Sequence, residues 1–222
     1  MSGSLAYDVA HLIGGGVLLA SFLLLYQRRV AALIGVLAVQ GALVALAAAW
    51  QGVVRGEAHL FATALIAFAA KGVLVPLLLQ RIVARLALDR AVETALPVGA
   101  SLAAGVALVA LSVLVMLPAT AGSAGALARV DMVLALSVLL LGVLMMATRR
   151  TAIPQVVGLI AVENGLLLGA VGIAGLPLLL ELSIAALVLV LVLVAGVFAL
   201  LMRTRLDSLD VTLLGRHRGE GG

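Results

Sequence analysis

Long apolar runs, each closed by a charge, constrain this chain more than any other feature. A helix needs roughly 20 apolar residues to cross a bilayer, and charges cut this sequence at about that interval. Val9–Gln27 is closed by Arg28 and Arg29, Val30–Val54 by Arg55, and Leu60–Gln80 by Arg81, with Lys71 inside the third run. Pro97–Pro118 is the fourth run and Met132–Thr148, closed by Arg149 and Arg150, the fifth. Thr151–Met202 then holds 52 residues whose only charges are Glu163 and Glu181. That is too long for one span and right for two, with Ala174-Gly175-Leu176-Pro177 as the turn between them. The expectation is an all-α membrane protein of seven transmembrane helices followed by a polar tail, Arg203–Gly222. The first run is read as a permanent helix, because Asp8 rather than a basic segment precedes it.

Basic residues orient the bundle. With the N-terminus outside, the inner loops hold eleven of the 14 basic residues and the outer loops only Arg55 and Arg129. Cytoplasmic loops are enriched in Lys and Arg, so the C-terminus is placed in the cytoplasm. Composition narrows function. Hydrophobic residues make up 65% of the chain, charged ones 11%, and the mean hydropathy is +1.33. A soluble domain carries about 25% charged residues, which excludes a soluble enzyme. The basic residues form no block of the kind that binds nucleic acid. There is no cysteine, and His11, His59 and His217 lie too far apart for a metal-ligand spacing. No cofactor, metal or catalytic residue set is expected.

The second and sixth spans share a pattern, Gly35-Val36-Leu37-Ala38-Val39-Gln40 beside Gly158-Leu159-Ile160-Ala161-Val162-Glu163, each after a double arginine. The third and seventh both carry Gly-Val before an arginine stop. This suggests a parallel three-helix repeat, the alternative being chance similarity among Ala, Leu, Val and Gly. The chain divides accordingly into 1–93, a connecting helix and loop at 94–128, and 129–222.

A charge at the bilayer centre costs about 2.5–3.5 kcal/mol on insertion scales, so ionisable groups there are functional candidates. Three fall within predicted spans: Lys71, Glu163 and Glu181. Glu163 follows an apolar stretch and precedes Asn164, which can orient a water, and Gly165, which leaves room for one. Lys71 precedes Gly72, and Pro76 withdraws the backbone donor that the Gly72 carbonyl would receive. Each has a bland reading, static pairing or packing specificity, beside its reading as a proton relay. Lys71 is expected to pair with Glu163, directly or through water, or with a carboxylate on another subunit. Glu181, about one turn into the seventh span, is either a surface-directed side chain or the outer end of a path through Glu163. The two glutamates differ in depth by roughly 9 Å at 1.5 Å per residue. Gln40 is the neutral counterpart of Glu163 in the repeat, and Trp50 an interfacial anchor.

Phe68-Ala69-Ala70-Lys71-Gly72-Val73-Leu74-Val75-Pro76-Leu77, Pro154 to Gly158 with Glu163-Asn164-Gly165, and Leu209-Asp210-Val211 together resemble the E-type membrane component family of hydrogenase-4 and formate hydrogenlyase-type complexes. The last three spans are similar to the K subunit of respiratory complex I and the C subunit of multisubunit sodium/proton antiporters. The resemblance implies a non-catalytic integral subunit in a bacterial or archaeal cytoplasmic membrane. Its partners would be antiporter-like subunits and lipid, with redox subunits reached indirectly. It also implies that Lys71, Glu163 and Glu181 fall on polar positions of the family, and with the reading of the residues above the expectation is a proton path through Glu163, Lys71, Glu181 and Asn164, supported by Gly72, Pro76, Gly165 and Gln40. The chain departs from the family pattern at Leu187, where the family has an aspartate, and Leu182–Met202 holds no acid. A subunit of a cation/proton antiporter without redox partners and a structural spacer are the competing readings.

Overall fold

A computed structural model of the chain describes residues 3–85, 92–119 and 126–173, together with Val192 and Gly196. The described residues form helices joined by short connections: α1 (Gly3–Tyr26), α2 (Val30–Arg55), α3 (Ala58–Ala67), a π segment (Phe68–Leu74), α4 (Val75–Arg85), α5 (Val98–Ala119), α6 (Ala126–Thr148) and α7 (Ala152–Ile173). No strand occurs among them, only an isolated bridge between Thr94 and Arg149. Among the described residues, six helical spans are long and apolar enough to cross a membrane, with α3, the π segment and α4 forming one of them. The chain is therefore an all-α protein of multi-pass membrane type. The expected seventh span, Glu181, Leu187 and the tail lie outside the described residues. Of that run Val192 and Gly196 are described and both are buried, Val192 in the core and Gly196 against Ile82 of α4.

The helices follow from uninterrupted Ala, Leu, Val and Ile, and they stop where the chain changes chemistry. Gly56 ends α2 in the left-handed region at φ 71° and donates its N–H to the Gly52 carbonyl, as a glycine after a helix does at no steric cost. In lipid the hydrophobic effect does not drive helices together, so close van der Waals packing and interhelical hydrogen bonds must. α2 is central, touching α1, α3, the π segment, α4 and α7. α7 packs closely along α6 and is the most enclosed of the six described spans, whereas α5 is the most peripheral of them. Two buried layers fill the bundle. One, around Leu33, Leu37, Leu79, Leu141 and Ile160, lies toward the double-arginine ends. The other, around Val17, Val44, Ala48, Val138 and Leu168, lies toward the opposite ends.

Three features depart from expectation. The third span is one helix in length but not in register, because the π segment interrupts it: the Val75 N–H donates to Ala70, five residues back. Pro76 has no N–H to continue an α ladder through Gly72, and a wider turn is the local solution. The fifth span begins at Ala126 rather than Met132, which brings Asp131 inside the helix and buries it at 6% exposure. Asp131 is thus an ionisable group within a span, beyond the three anticipated. Finally, Arg149 is not a solvated stop signal. It is 3% exposed, and its guanidinium donates to the carbonyls of Leu24 at 3.2 Å and Leu25 at 2.6 Å. A cation there meets the negative end of the α1 dipole and its unpaired terminal carbonyls. Burial lowers the affinity of that guanidinium for its proton. Beside it Val92 donates to the Arg28 carbonyl and Ala95 to Thr148, so 92–95 is strapped across the ends of α1 and α6.

Candidate ion-pair site in the membrane interior

Lys71 and Glu163 are brought together. The Lys71 ammonium lies 3.0 Å from Glu163 Oε1, with side-chain exposures of 5% and 8%. Two elements aim them. The π segment carries Lys71, and its extra residue per turn rotates the side chain relative to an unbroken α-helix. α7 carries Glu163 on the face that α2 and α6 enclose.

Gly41 makes the approach possible. A Cβ there would sit 2.7 Å from the Lys71 carbonyl oxygen, so only glycine lets α2 lie this close to the π segment. This glycine does not stand out in the sequence, whereas Gly72 does. Gly72 is not pressed in the same way, since a Cβ there would meet the Phe68 ring at 3.3 Å and the Ala42 backbone only at 3.8 Å. Gly165 is expected from the sequence to leave room for a water. Instead α6 fills that room: a Cβ at 165 would fall 2.7 Å from the Leu139 nitrogen.

A chain of amides and a hydroxyl starts at Asn164, the residue after Glu163. Asn164 Nδ2 donates to Gln40 Oε1 at 3.1 Å, Gln40 Nε2 donates to Ser21 Oγ at 2.8 Å, and Ser21 donates to the Val17 carbonyl at 3.0 Å. Gln40 and Asn164 are fully buried and Ser21 nearly so. Gln40 is therefore a member of the same site rather than of a separate equivalent one. Ser21 escapes sequence reasoning because a lone serine among apolar residues can also bond its own helix carbonyl. Here it does both.

Glu163 Oε2 and Asn164 Oδ1 are buried and accept no hydrogen bond among the described residues. Buried polar groups are normally satisfied by protein or water, so this side of the carboxylate has unused accepting capacity. The arrangement places an exchangeable carboxylate, a buried amine and an ordered amide chain within one apolar layer. Chemically it can hold a proton on either of two groups and shift it between them. Pro76 stands one turn beyond Lys71, at the second residue of α4, and Glu181 lies outside the described residues. Among the described residues no cluster of three or more His, Asp or Glu could hold a metal ion.

A separate polar contact lies toward the N-terminal end of α1. Gln51 Nε2 donates to Asp131 Oδ2 at 3.2 Å, and Trp50 Nε1 donates to the Ala6 carbonyl at 3.1 Å. Trp50 thus ties α2 to α1 near the membrane edge, and its indole also borders a small cleft.

No family model and no solved structure matches the chain. A curated mycobacterial protein is 30% identical over 208 residues, spanning 92% of this chain and 93% of its own length. On that full-length match, the chain belongs to the family of the uncharacterized protein Rv0085 of Mycobacterium tuberculosis (strain ATCC 25618 / H37Rv).

Proposed function

We propose that this chain is a non-catalytic integral subunit of a group 4 hydrogenase or complex I-like oxidoreductase, seated beside antiporter-like subunits and taking part in proton translocation. The observation that carries the reading is the buried Lys71–Glu163 pair. A buried ion pair is a poor device for stability alone, because well-packed apolar residues of similar volume often do as well or better. Inside a membrane the cost of isolated charge is higher still. A pair retained there, with one carboxylate oxygen open to a further donor, suits a group that receives a proton and passes it on. The motif residues around Lys71 and Glu163 supply the resemblance to the hydrogenase-4 membrane family, and through it the partners. The full count of seven spans, with the N-terminus outside and the tail in a bacterial or archaeal cytoplasm, is part of the same proposal and rests on the distribution of arginines.

Purification in mild detergent, followed by identification of the co-purifying chains, tests the assignment. Antiporter-like membrane subunits together with nickel-site and iron–sulfur subunits are expected. Antiporter subunits without redox chains would move the protein to a cation/proton antiporter. Recovery with no antiporter-like chain would overturn the reading.

A further inference from the structure

We propose that Asp131, with Gln51 and His11, forms a second protonatable site: a port that opens to the membrane face where α1 begins and exchanges protons with the water there. The inference rests on the proton-carrying reading and extends it to a place that reading does not use. Asp131 sits in the second turn of α6 and is 6% exposed. Its Oδ2 accepts a hydrogen bond from Gln51 at 3.2 Å. The carboxylate borders a cleft together with Ala10, Trp50, Gln51, Leu168 and Val171, residues of α1, α2 and α7. A carboxylate has about four accepting sites, so a cleft beside it is where water would complete them.

Ionisable groups from two neighbouring helices surround the carboxylate. From α1 comes His11, close enough to act on the Asp131 charge. Its Nε2 is buried without a hydrogen-bond partner among the described residues. Buried polar atoms are normally satisfied by protein or water, so that ring nitrogen has hydrogen-bonding capacity to spare. From α2 comes Arg55, which also acts on the charge of Asp131. Among the described residues of α7, the apolar Leu168 and Val171 border the cleft.

Position separates this site from the Lys71–Glu163 pair. Gln40 and Gln51 lie eleven residues apart on α2, three turns and so on one face, about 16 Å along the axis at 1.5 Å per residue. Each receives or gives a hydrogen bond at its own level, Gln40 to the α7 site and Gln51 to Asp131. Between the two levels lies the buried apolar layer of Val44, Ala48, Val138 and Leu168. A proton taken up at Asp131 therefore stays on the aqueous side of that layer until water or another polar group bridges it. The opposing possibility is a static carboxylate that anchors Gln51 and complements the N-terminal end of α6.

The test uses the assembled complex in its membrane. The chain has no cysteine, so Ala47→Cys, at the cleft, can be probed by a membrane-impermeant thiol reagent, with labelling read on this chain after the subunits are separated. It should react from the N-terminal face only. Infrared pH titration of the purified complex should show a protonated-carboxyl band that is lost in Asp131→Asn, restored in Asp131→Glu and retained in Glu163→Gln. A spectrum unchanged by Asp131→Asn, or an Ala47→Cys that reacts from neither face, would overturn the port. The two readings fail separately. Should Asp131 carry the band while Glu163→Gln works normally, the port stands and the role of Glu163 falls. Should Glu163→Gln be impaired while Asp131→Asn changes neither band nor turnover, the port falls and the role of Glu163 stands.

Discussion

The Lys71 ammonium meets the Glu163 carboxylate at 3.0 Å, the π segment against α7, with both side chains almost wholly enclosed. Each neutralises the other within an apolar layer, so their fates are linked. Lys71→Met alone should strand a buried carboxylate and cost about 3–5 kcal/mol, the range for breaking a buried pair from one side. Lys71→Met combined with Glu163→Leu should recover part of that loss. Thermal unfolding of the detergent-solubilised protein reads both. Costs that simply add would mean that the two residues do not share a site.

Gly41→Ala should damage the same site without touching either charge. Its methyl would lie 2.7 Å from the Lys71 carbonyl, so α2 and the π segment must separate. Overpacking of this kind costs about 1–3 kcal/mol, and the displacement should weaken the Lys71–Glu163 coupling measured by the double-mutant cycle. Gly56→Ala is strained for a different reason, its positive φ. It should lower stability but leave that coupling intact.

Arg149→Gln should loosen the end of α1. The guanidinium holds two terminal carbonyls, Leu24 and Leu25, and hydrogen bonds from a charged donor are worth about 1.5–3 kcal/mol each. Hydrogen exchange at the last turn of α1 should quicken in the variant while the amides around Glu163 keep their protection. Arg150, exposed beside it, should tolerate the same change.

Much of this bundle is legible in the sequence because a membrane span is a one-dimensional signal: length, apolarity and a closing charge. Those signals locate the centre of each of the six described spans, but helices run past the apolar limits: α1 starts at Gly3 rather than Val9, α4 continues past Gln80 to Arg85, and α6 starts at Ala126, where Asp131 reads as a loop charge. A buried carboxylate near a span end and a solvated one have the same sequence signature. Only the Gln51 bond and the α1–α2 wall around it separate the two. Arg149 reads as a solvated stop for the same reason. Lys71 and Glu163 are legible because charge in a span is costly wherever it points. The π segment is not, since Gly72 and Pro76 announce a disturbed ladder but not whether it kinks, breaks or widens. Gly41 and Ser21 are not either. A glycine or serine in a membrane helix acquires meaning only from the backbone or amide that stands opposite, and that partner comes from a distant stretch of chain.

Reporter fusions test the proposed topology. A reporter before Met1 should read external and one after Gly222 cytoplasmic, and a reporter on the 92–95 strap should share the C-terminal side. Both termini on one side would contradict the seven-span count.

Glu163→Gln tests the central claim most directly. The variant preserves size and a hydrogen-bonding head but cannot carry the proton that a carboxylate carries. Proton movement driven by the assembled complex should be measured in sealed membrane vesicles, alongside the amount of complex assembled. The account predicts wild-type assembly with proton-coupled turnover lowered by on the order of 10²-fold, the low end of what a positioned proton-transferring side chain contributes. Normal assembly with wild-type proton movement would contradict it and leave the Lys71–Glu163 pair a packing device.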